Sequence, residues 1–574
     1  MPHGNVTYTY EQMDKESNKV ANWALGQGIK AGDVVSLMMD NRPEFIFAWL
    51  GVAKIGGAIA LINTNLRGKP LEHSYRVSGA SLHIIGAEHC SAISPSLMEE
   101  MGESSKWFRF EGHSYRFLRH SSNETPNETS NEATTMMTLV DPLLEQESTT
   151  APTKELRKTV GMESTLFLIY TSGTTGPPKA ARCPHIRFGI VSIFPEMCGI
   201  NHKDRLYCPL PLYHSAGGII GVGSCWYTGA TLVLRRKFSR THFWEDISKH
   251  ECTAFQYIGE LCRYLLAAPE GPYDKQHNVK WAVGNGLRPD IWEKFQQRFN
   301  IQNIGEFYAA TEGNVGFFNP YNKVGAVGYL SPLLRLAYPA KIVRFDHETE
   351  MPYRDPKTGF CVECKDGEEG ELLGLIKAND PSRKFAGYTD SKATEKKVLR
   401  DVFVKGDMYF RSGDLLKFDS EGYVYFVDRI GDTFRWKGEN VATTEVAAVI
   451  GGFEGVAETN VYGVRVGNAD GKAGMALIIP LEGATIDLDK FYNFVMAELP
   501  SYAAPLFLRL RDSGQMDTTS TFKHKKADLV NEGFNPDLVN NDKLYYRDDR
   551  KKAYVPVSRA LYQDITQQHL SAKL

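Results

Sequence analysis

The sequence predicts an α/β protein, with a large N-terminal lobe of parallel strand–helix units ending in an antiparallel β module, and a small α+β domain after it. Three observations carry this. Apolar strands alternate with amphipathic helices over residues 1 to about 90 and again from Leu166 to about Val315, the pattern of a helix-covered parallel sheet. From about Tyr329 to Asp428 short strands with turn signals take over, as in Phe418-Asp419-Ser420-Glu421-Gly422-Tyr423-Val424-Tyr425, which reads as antiparallel pairing. After Arg429 come strands at Val461–Val466 and Met475–Pro480, a helix near Leu488–Glu498 and a basic-rich tail. The boundary falls at Ile430–Gly431, giving domains of residues 1–430 and 431–574, with the β module at about 329–428.

The elements follow in order. Thr7-Tyr8-Thr9-Tyr10 leads to a helix around Met13–Leu25 and then the strand Val34–Met38. Phe45 to Ile62 is apolar apart from Lys54, but Pro43 opens it and Gly56-Gly57 interrupts it. It therefore reads as a buried helix and a short strand, Ala58–Leu61, rather than a membrane span. Ser121 to Thr153 holds no Lys or Arg and is rich in Ser, Thr, Asn and Glu, the composition of an exposed, poorly ordered insertion. Tyr207 to Leu234 has no charged side chain, yet Pro209, Pro211 and several glycines make it loop, helix and strand within a core.

The chain of 574 residues buries a large core without help from disulfides or metals. Lys+Arg 66 against Asp+Glu 69 leaves a net charge of −3, which removes the case for a general nucleic-acid binder. Nine cysteines, an odd number with no repeating spacing, read as buried thiols in a reducing compartment. Cys361 and Cys364 form half a zinc ribbon with no second pair to complete it. The start, Met-Pro-His-Gly-Asn, shows no secretory signal, so the sequons at Asn5, Asn123 and Asn127 carry little meaning. The ending Ala572-Lys573-Leu574 is similar to the Ser-Lys-Leu peroxisomal address.

Chemistry concentrates first at Tyr170-Thr171-Ser172-Gly173-Thr174-Thr175-Gly176-Pro177-Pro178-Lys179, directly after the strand Leu166–Ile169. Two glycines allow a tight turn, hydroxyls supply donors and Lys179 supplies charge, together an envelope for a polyphosphate. It is not a Walker A loop, because Lys179 follows two prolines and precedes Ala180. Further blocks are Gly284-Asn285-Gly286-Leu287-Arg288-Pro289, Phe307-Tyr308-Ala309-Ala310-Thr311-Glu312-Gly313-Asn314 and Asp428-Arg429-Ile430-Gly431-Asp432 running on to Lys437-Gly438-Glu439-Asn440.

In this order the blocks resemble the acyl-adenylate-forming superfamily of acyl-CoA synthetases, luciferases and peptide-synthetase adenylation domains. Within it they look like the fatty acid transport protein / very-long-chain acyl-CoA synthetase branch. The resemblance covers nearly the whole chain apart from the Ser121–Thr153 segment. It implies that Thr171, Ser172, Gly173, Thr174, Thr175, Gly176 and Lys179 hold the β- and γ-phosphates of ATP, with Thr311 beside them and Glu312 binding Mg²⁺. Taken alone, Glu312 reads as a solvated loop acid. Tyr308 would pack on adenine opposite the turn Gly284-Asn285-Gly286, and Asp414 and Arg429 would bind the ribose hydroxyls.

Gly431 takes the hinge position about which the small domain turns between two half-reactions, where relatives carry Asp or Lys. Lys523, within Thr518-Thr519-Ser520-Thr521-Phe522-Lys523-His524, would be the catalytic lysine, with Ser520 standing where relatives have Gly. Tyr213-His214 matches an aromatic–His block near the acyl and thiol path and equally fits a packed core pair. Ser215–Gly223 would leave room for an acyl tunnel, and Lys437 and Gly438 lie on the CoA path.

The implied activity is ATP-dependent ligation of a long- or very-long-chain fatty acid to CoA through acyl-AMP. The alternatives are a transport or binding protein with weak ligase activity, and a CoA ligase for another acid such as a bile acid. Fatty acid, ATP and CoA are the implied small-molecule partners, with no nucleic acid. Peripheral membrane association, a homodimer and a peroxisomal import receptor for the C-terminal tripeptide are left open. The expected location is the peroxisome or the endoplasmic reticulum membrane, with the plasma membrane an alternative. The resemblance also implies a hydrophobic and helical segment ahead of the first strand that this sequence does not include.

Overall fold

The computed structural model describes residues 6–113, 132–171, 178–347, 349–437, 439–467, 471–511, 526–539 and 541–567. Thr9 caps the first helix, Tyr10–Gly26, in a reciprocal box with Gln12, so the helix begins three residues ahead of the expected Met13. Pro43 opens the helix Pro43–Lys54, where a missing N–H costs nothing. That helix is buried nearly all round because it lies against the first helix and joins a core containing Trp23, Trp49, Phe45 and Phe167. The strand Ala58–Leu61 follows as read.

The first sheet has seven strands in the spatial order Thr138–Leu139, Lys106–Phe110, Leu82–Gly86, Val34–Met38, Ala58–Leu61, Thr165–Thr171 and Lys179–Pro184. All neighbours are parallel except the last pair, whose register sets Thr171 opposite Lys179. The second sheet runs Gly316–Asn319, Asn303–Ala309, Trp281–Asn285, Ala254–Ile258, Arg205–Cys208 and Thr231–Leu234, parallel but for its first pair. The third is antiparallel and includes Gly370–Leu375, Met408–Phe418 and Tyr423–Arg429, with Asp419–Gly422 as the turn between the last two. A five-stranded sheet closes the chain, and its hydrophobic core draws only on residues from Phe434 to Ile565.

One expectation differs from the structure. Of the segment 121–153, the stretch up to residue 131 lies outside the described residues, but the rest is not an exposed insertion. Glu132–Met136 is helical, Thr138–Leu139 is the edge strand of the first sheet and Asp141–Glu145 is a further helix. Ala133, Met137, Val140 and Leu144 are buried there, and Asn18 and Asn22 donate to backbone carbonyls of Ser148, Thr149 and Thr150. A polar average hid these few apolar anchors, and an edge strand needs only one partner. The described part of the basic-rich tail forms the strands Lys543–Asp548 and Ala553–Pro556 and the helix Arg559–Thr566.

All nine cysteines are buried and unpaired in disulfides. Among the described residues, no helix is long and apolar enough to cross a membrane.

Candidate active site

Side chains from all three sheets of the large lobe converge. From the second sheet, Tyr308 donates its hydroxyl to Asp414 Oδ2 at 2.6 Å on the third. Asp414 sits in register with Arg429 across the hairpin, the guanidinium Nε lying 3.8 Å from its carboxylate. Burial first, and then the Asp414 charge, push the Tyr308 phenol well above its ordinary value, so it stays a donor. Behind Asp414, the fully buried Glu371 binds Arg411 Nη2 at 2.7 Å and accepts from the Gly413 N–H at 3.2 Å, fixing the bulge that aims the aspartate.

A second turn follows the strand Trp281–Asn285, which neighbours that of Tyr308 in the same sheet. Gly286 has φ +78, a conformation glycine adopts without strain, and a Cβ there would meet nothing nearer than the Gly259 nitrogen at 3.9 Å. The turn is pinned from behind by Glu306, which accepts from the N–H groups of Gly286 and Leu287 and from the Tyr257 hydroxyl. Burial pushes the Glu306 carboxyl up to about 8 against those three donors.

At the other end, Thr311 and Glu312 follow the strand Asn303–Ala309. Arg187 donates to the Thr311 carbonyl, and its charge faces Glu312. Tyr388 donates its hydroxyl to Glu312 Oε1 at 2.8 Å, and Lys179 Nζ stands 5.7 Å from the Tyr388 ring centre. The second Glu312 oxygen has no hydrogen-bond partner among the described residues. A half-buried carboxylate with one oxygen anchored and the other available fits a hard cation such as Mg²⁺. The cluster of Asp40, Glu88 and His89 also has metal-ligand spacing, yet Arg42 and Arg236 pair with its carboxylates. Burial opposes the Asp40 charge, but His89, Arg236 and Lys237 hold its carboxyl below the usual range.

His214 stacks obliquely on Tyr213 with ring centres 4.6 Å apart, and Asn65 donates to the Tyr213 hydroxyl. The buried Asn41 holds this loop by donating to the Leu210 and Arg235 carbonyls and accepting from the Leu212 N–H at 2.8 Å. Within Ser215–Gly223, three glycines pack closely against neighbouring oxygens. This stretch is a π-helix over Ala216–Gly223, and Cβ atoms on Gly217, Gly218 and Gly221 would lie 2.3, 2.5 and 2.6 Å from neighbouring oxygens.

Lys437 is exposed with φ 53 at the tip of the hairpin Phe434–Trp436/Glu439–Val441. Gly431 is exposed, with nothing within 4 Å of where a Cβ would stand. Ser172, Gly173, Thr174, Thr175, Gly176, Gly438, Lys523 and the C-terminal tripeptide lie outside the described residues. Glu306, Tyr388, Arg187, Asn41 and Glu371 escaped sequence reading, since each touches the site through a partner distant in the chain.

Comparisons with known proteins place the chain in a family and a fold. A family model described as AMP-binding enzyme matches residues 2–375. Long-chain fatty acid transport protein 1 of Mus musculus is 44% identical over 97% of this chain and 83% of its own length. Among solved structures, an anthranilate CoA ligase bound to anthranoyl-AMP superposes with TM-score 0.73 at 19% identity, covering 91% of each chain. A Mycobacterium tuberculosis fatty acyl CoA synthetase superposes with TM-score 0.58 at 22% identity, over 92% of this chain and 93% of that one.

Proposed function

Since this chain belongs to the AMP-binding enzyme family and to its long-chain fatty acid transport protein branch, we propose that it is an ATP-dependent long- or very-long-chain fatty acid–CoA ligase. The observation that carries the reading is the convergence of Tyr308, Asp414, Arg429, Thr311 and Glu312, drawn from two sheets into one cleft edge by the Tyr308–Asp414 hydrogen bond.

The chemistry needs an anionic carboxylate to attack the α-phosphorus of ATP while the bond to the pyrophosphate oxygen breaks. Neutralising charge and aligning the two anions are thus the main tasks. Adenine lies at Tyr308 and the Gly286 turn, and the ribose hydroxyls meet Asp414 and Arg429. Lys179 and the hydroxyls around Thr171 hold the β- and γ-phosphates. Glu312 fits Mg²⁺, which when bound supplies positive charge to the phosphates. Lys523 bridges the fatty-acid carboxylate and the α-phosphate.

In the second half-reaction the CoA sulfur attacks the acyl carbonyl carbon, and AMP leaves with the oxygen the acid contributed. Gly431 is the pivot between the lobes of residues 1–430 and 431–574, Lys437 and Gly438 lie on the CoA path, and His214 lines the acyl and thiol path.

The test is acyl-AMP formation, followed by fatty acid-dependent ATP–pyrophosphate exchange, beside thioesterification of supplied acyl-AMP. Replacing Lys523 by Ala should lower the exchange by about 100-fold or more and spare the second step. Equal loss of both would remove its assigned role. A second reading, fatty-acid binding and transport with weak ligation, is favoured by the name the mouse relative carries. Fatty-acid binding without AMP release across a panel of chain lengths would support that reading instead.

A further inference from the structure

Tyr388 belongs to none of the sequence blocks, yet it is where three parts of the large lobe meet. The backbone around it adds to the edge of the first sheet. Arg182 N–H donates to the Gly387 carbonyl at 2.9 Å, Thr389 N–H to the Ala180 carbonyl at 3.0 Å, and Ala181 bridges Tyr388 directly. Its own N–H is taken by Thr394 Oγ1 at 2.9 Å. Gly387, at φ +66, leaves no room for a Cβ, which would lie 2.4 Å from the Thr394 methyl carbon. The ring is therefore held from both sides and only 6% exposed.

From that mount the phenol reaches out of the first sheet. Its oxygen donates to Glu312 Oε1 at 2.8 Å, while the Thr171 hydroxyl donates to the Lys179 carbonyl at 3.4 Å. The ring face lies toward Lys179. Thr171 and Lys179 are the two ends of the phosphate loop, set opposite each other in the strand register.

We propose that Tyr388 is a positioning residue for the polyphosphate end of the site: its hydroxyl fixes one oxygen of Glu312 so that the other faces the cation of the nucleotide, and its ring sets that carboxylate on the side of Lys179, one end of the phosphate loop. This rests on the reading of Glu312 given above. Arg187 constrains the same turn from the opposite side through the Thr311 carbonyl, so removing the Tyr388 hydroxyl frees rotation of the carboxylate rather than the whole turn.

Isothermal titration of the full chain with ATP plus Mg²⁺, ATP plus EDTA, and AMP tests this without turnover. Tyr388→Phe keeps the ring and removes one charge-assisted hydrogen bond. It should raise Kd for ATP plus Mg²⁺ about tenfold, leaving AMP affinity, the melting temperature and thioesterification of supplied acyl-AMP within about twofold or a few degrees. Equal weakening toward AMP and ATP, or a large fall in melting temperature, would assign Tyr388 a structural role and overturn the proposal. Glu312→Gln separates the two readings. If it weakens ATP plus Mg²⁺ while Tyr388→Phe does not, the proposal alone fails. If Glu312→Gln leaves that affinity unchanged, the metal-binding reading of Glu312 fails, and the proposal with it.

Discussion

At the scale of single residues, Glu306 shows how a buried acid shapes a site without touching substrate. Three donors converge on it, a geometry that favours the ionised form, but burial outweighs them and lifts the carboxyl to about 8. The sign of the consequence follows from proton binding. Between the unfolded value near 4.5 and about 8 the folded state holds more protons than the unfolded, so stability falls as pH rises through that window. The slope is at most about 1.4 kcal/mol per pH unit for one group. The melting temperature should therefore drop from pH 6 to pH 9, and Glu306→Gln, which cannot ionise, should flatten that decline. Parallel curves would show that Glu306 is ionised throughout. Residues such as Tyr308, Thr311, Glu312, Asp414 and Arg429 were legible because each stands in a local block of fixed order. Tyr388 and Asn41 were not, because their partners lie 76 and 169 residues away and no spacing in the chain announces such a pair.

At the scale of elements, the π-helix Ala216–Gly223 is closely packed at three of its glycines. Their missing side chains admit the carbonyls of the Leu210–Leu212 loop that carries the chain to His214. Gly217→Ala would place a Cβ 2.3 Å from the Pro211 oxygen and 2.7 Å from that of Leu210, so backbone must move. Overpacking of this kind costs about 1–3 kcal/mol. Gly189, in the helix His185–Ser192, has nothing within 4 Å of its would-be Cβ, and Gly189→Ala should be neutral or stabilising by up to about 1 kcal/mol. Urea midpoints of the two variants test this contrast, and equal shifts would contradict the close-packed account. Strands and helices with strong local pattern, such as Val34–Met38 and Leu488–Glu498, could be read to the residue. The strand Thr138–Leu139 could not, since two residues on a sheet edge have no periodicity to display.

At the scale of the whole molecule, the proposed pivot at Gly431 requires the small lobe to move as a unit. Its core is separate from those of the three earlier sheets, so it can turn as a unit. Across the proposed pivot, the Asp428 carboxylate accepts from the N–H and hydroxyl of Thr443. Lys526, three residues past Lys523, binds Thr443 Oγ1 at 2.9 Å and Asp432 Oδ2 at 3.2 Å. The start of the small lobe and the segment following Lys523 are thus tied together, and the proposed rotation at Gly431 would carry both. Gly431 has no neighbour within reach of a Cβ, so a larger residue fits sterically and acts only through the backbone. Gly431→Pro fixes φ near −65° and removes that freedom. If the lobes must exchange positions between the half-reactions, one step should stay within a few-fold of the parent while the other slows by about tenfold or more. Rapid-quench measurement of acyl-AMP formation beside thioesterification of supplied acyl-AMP reads the two separately. Equal loss in both would place Gly431 in folding, and no loss in either would move the pivot elsewhere in the chain.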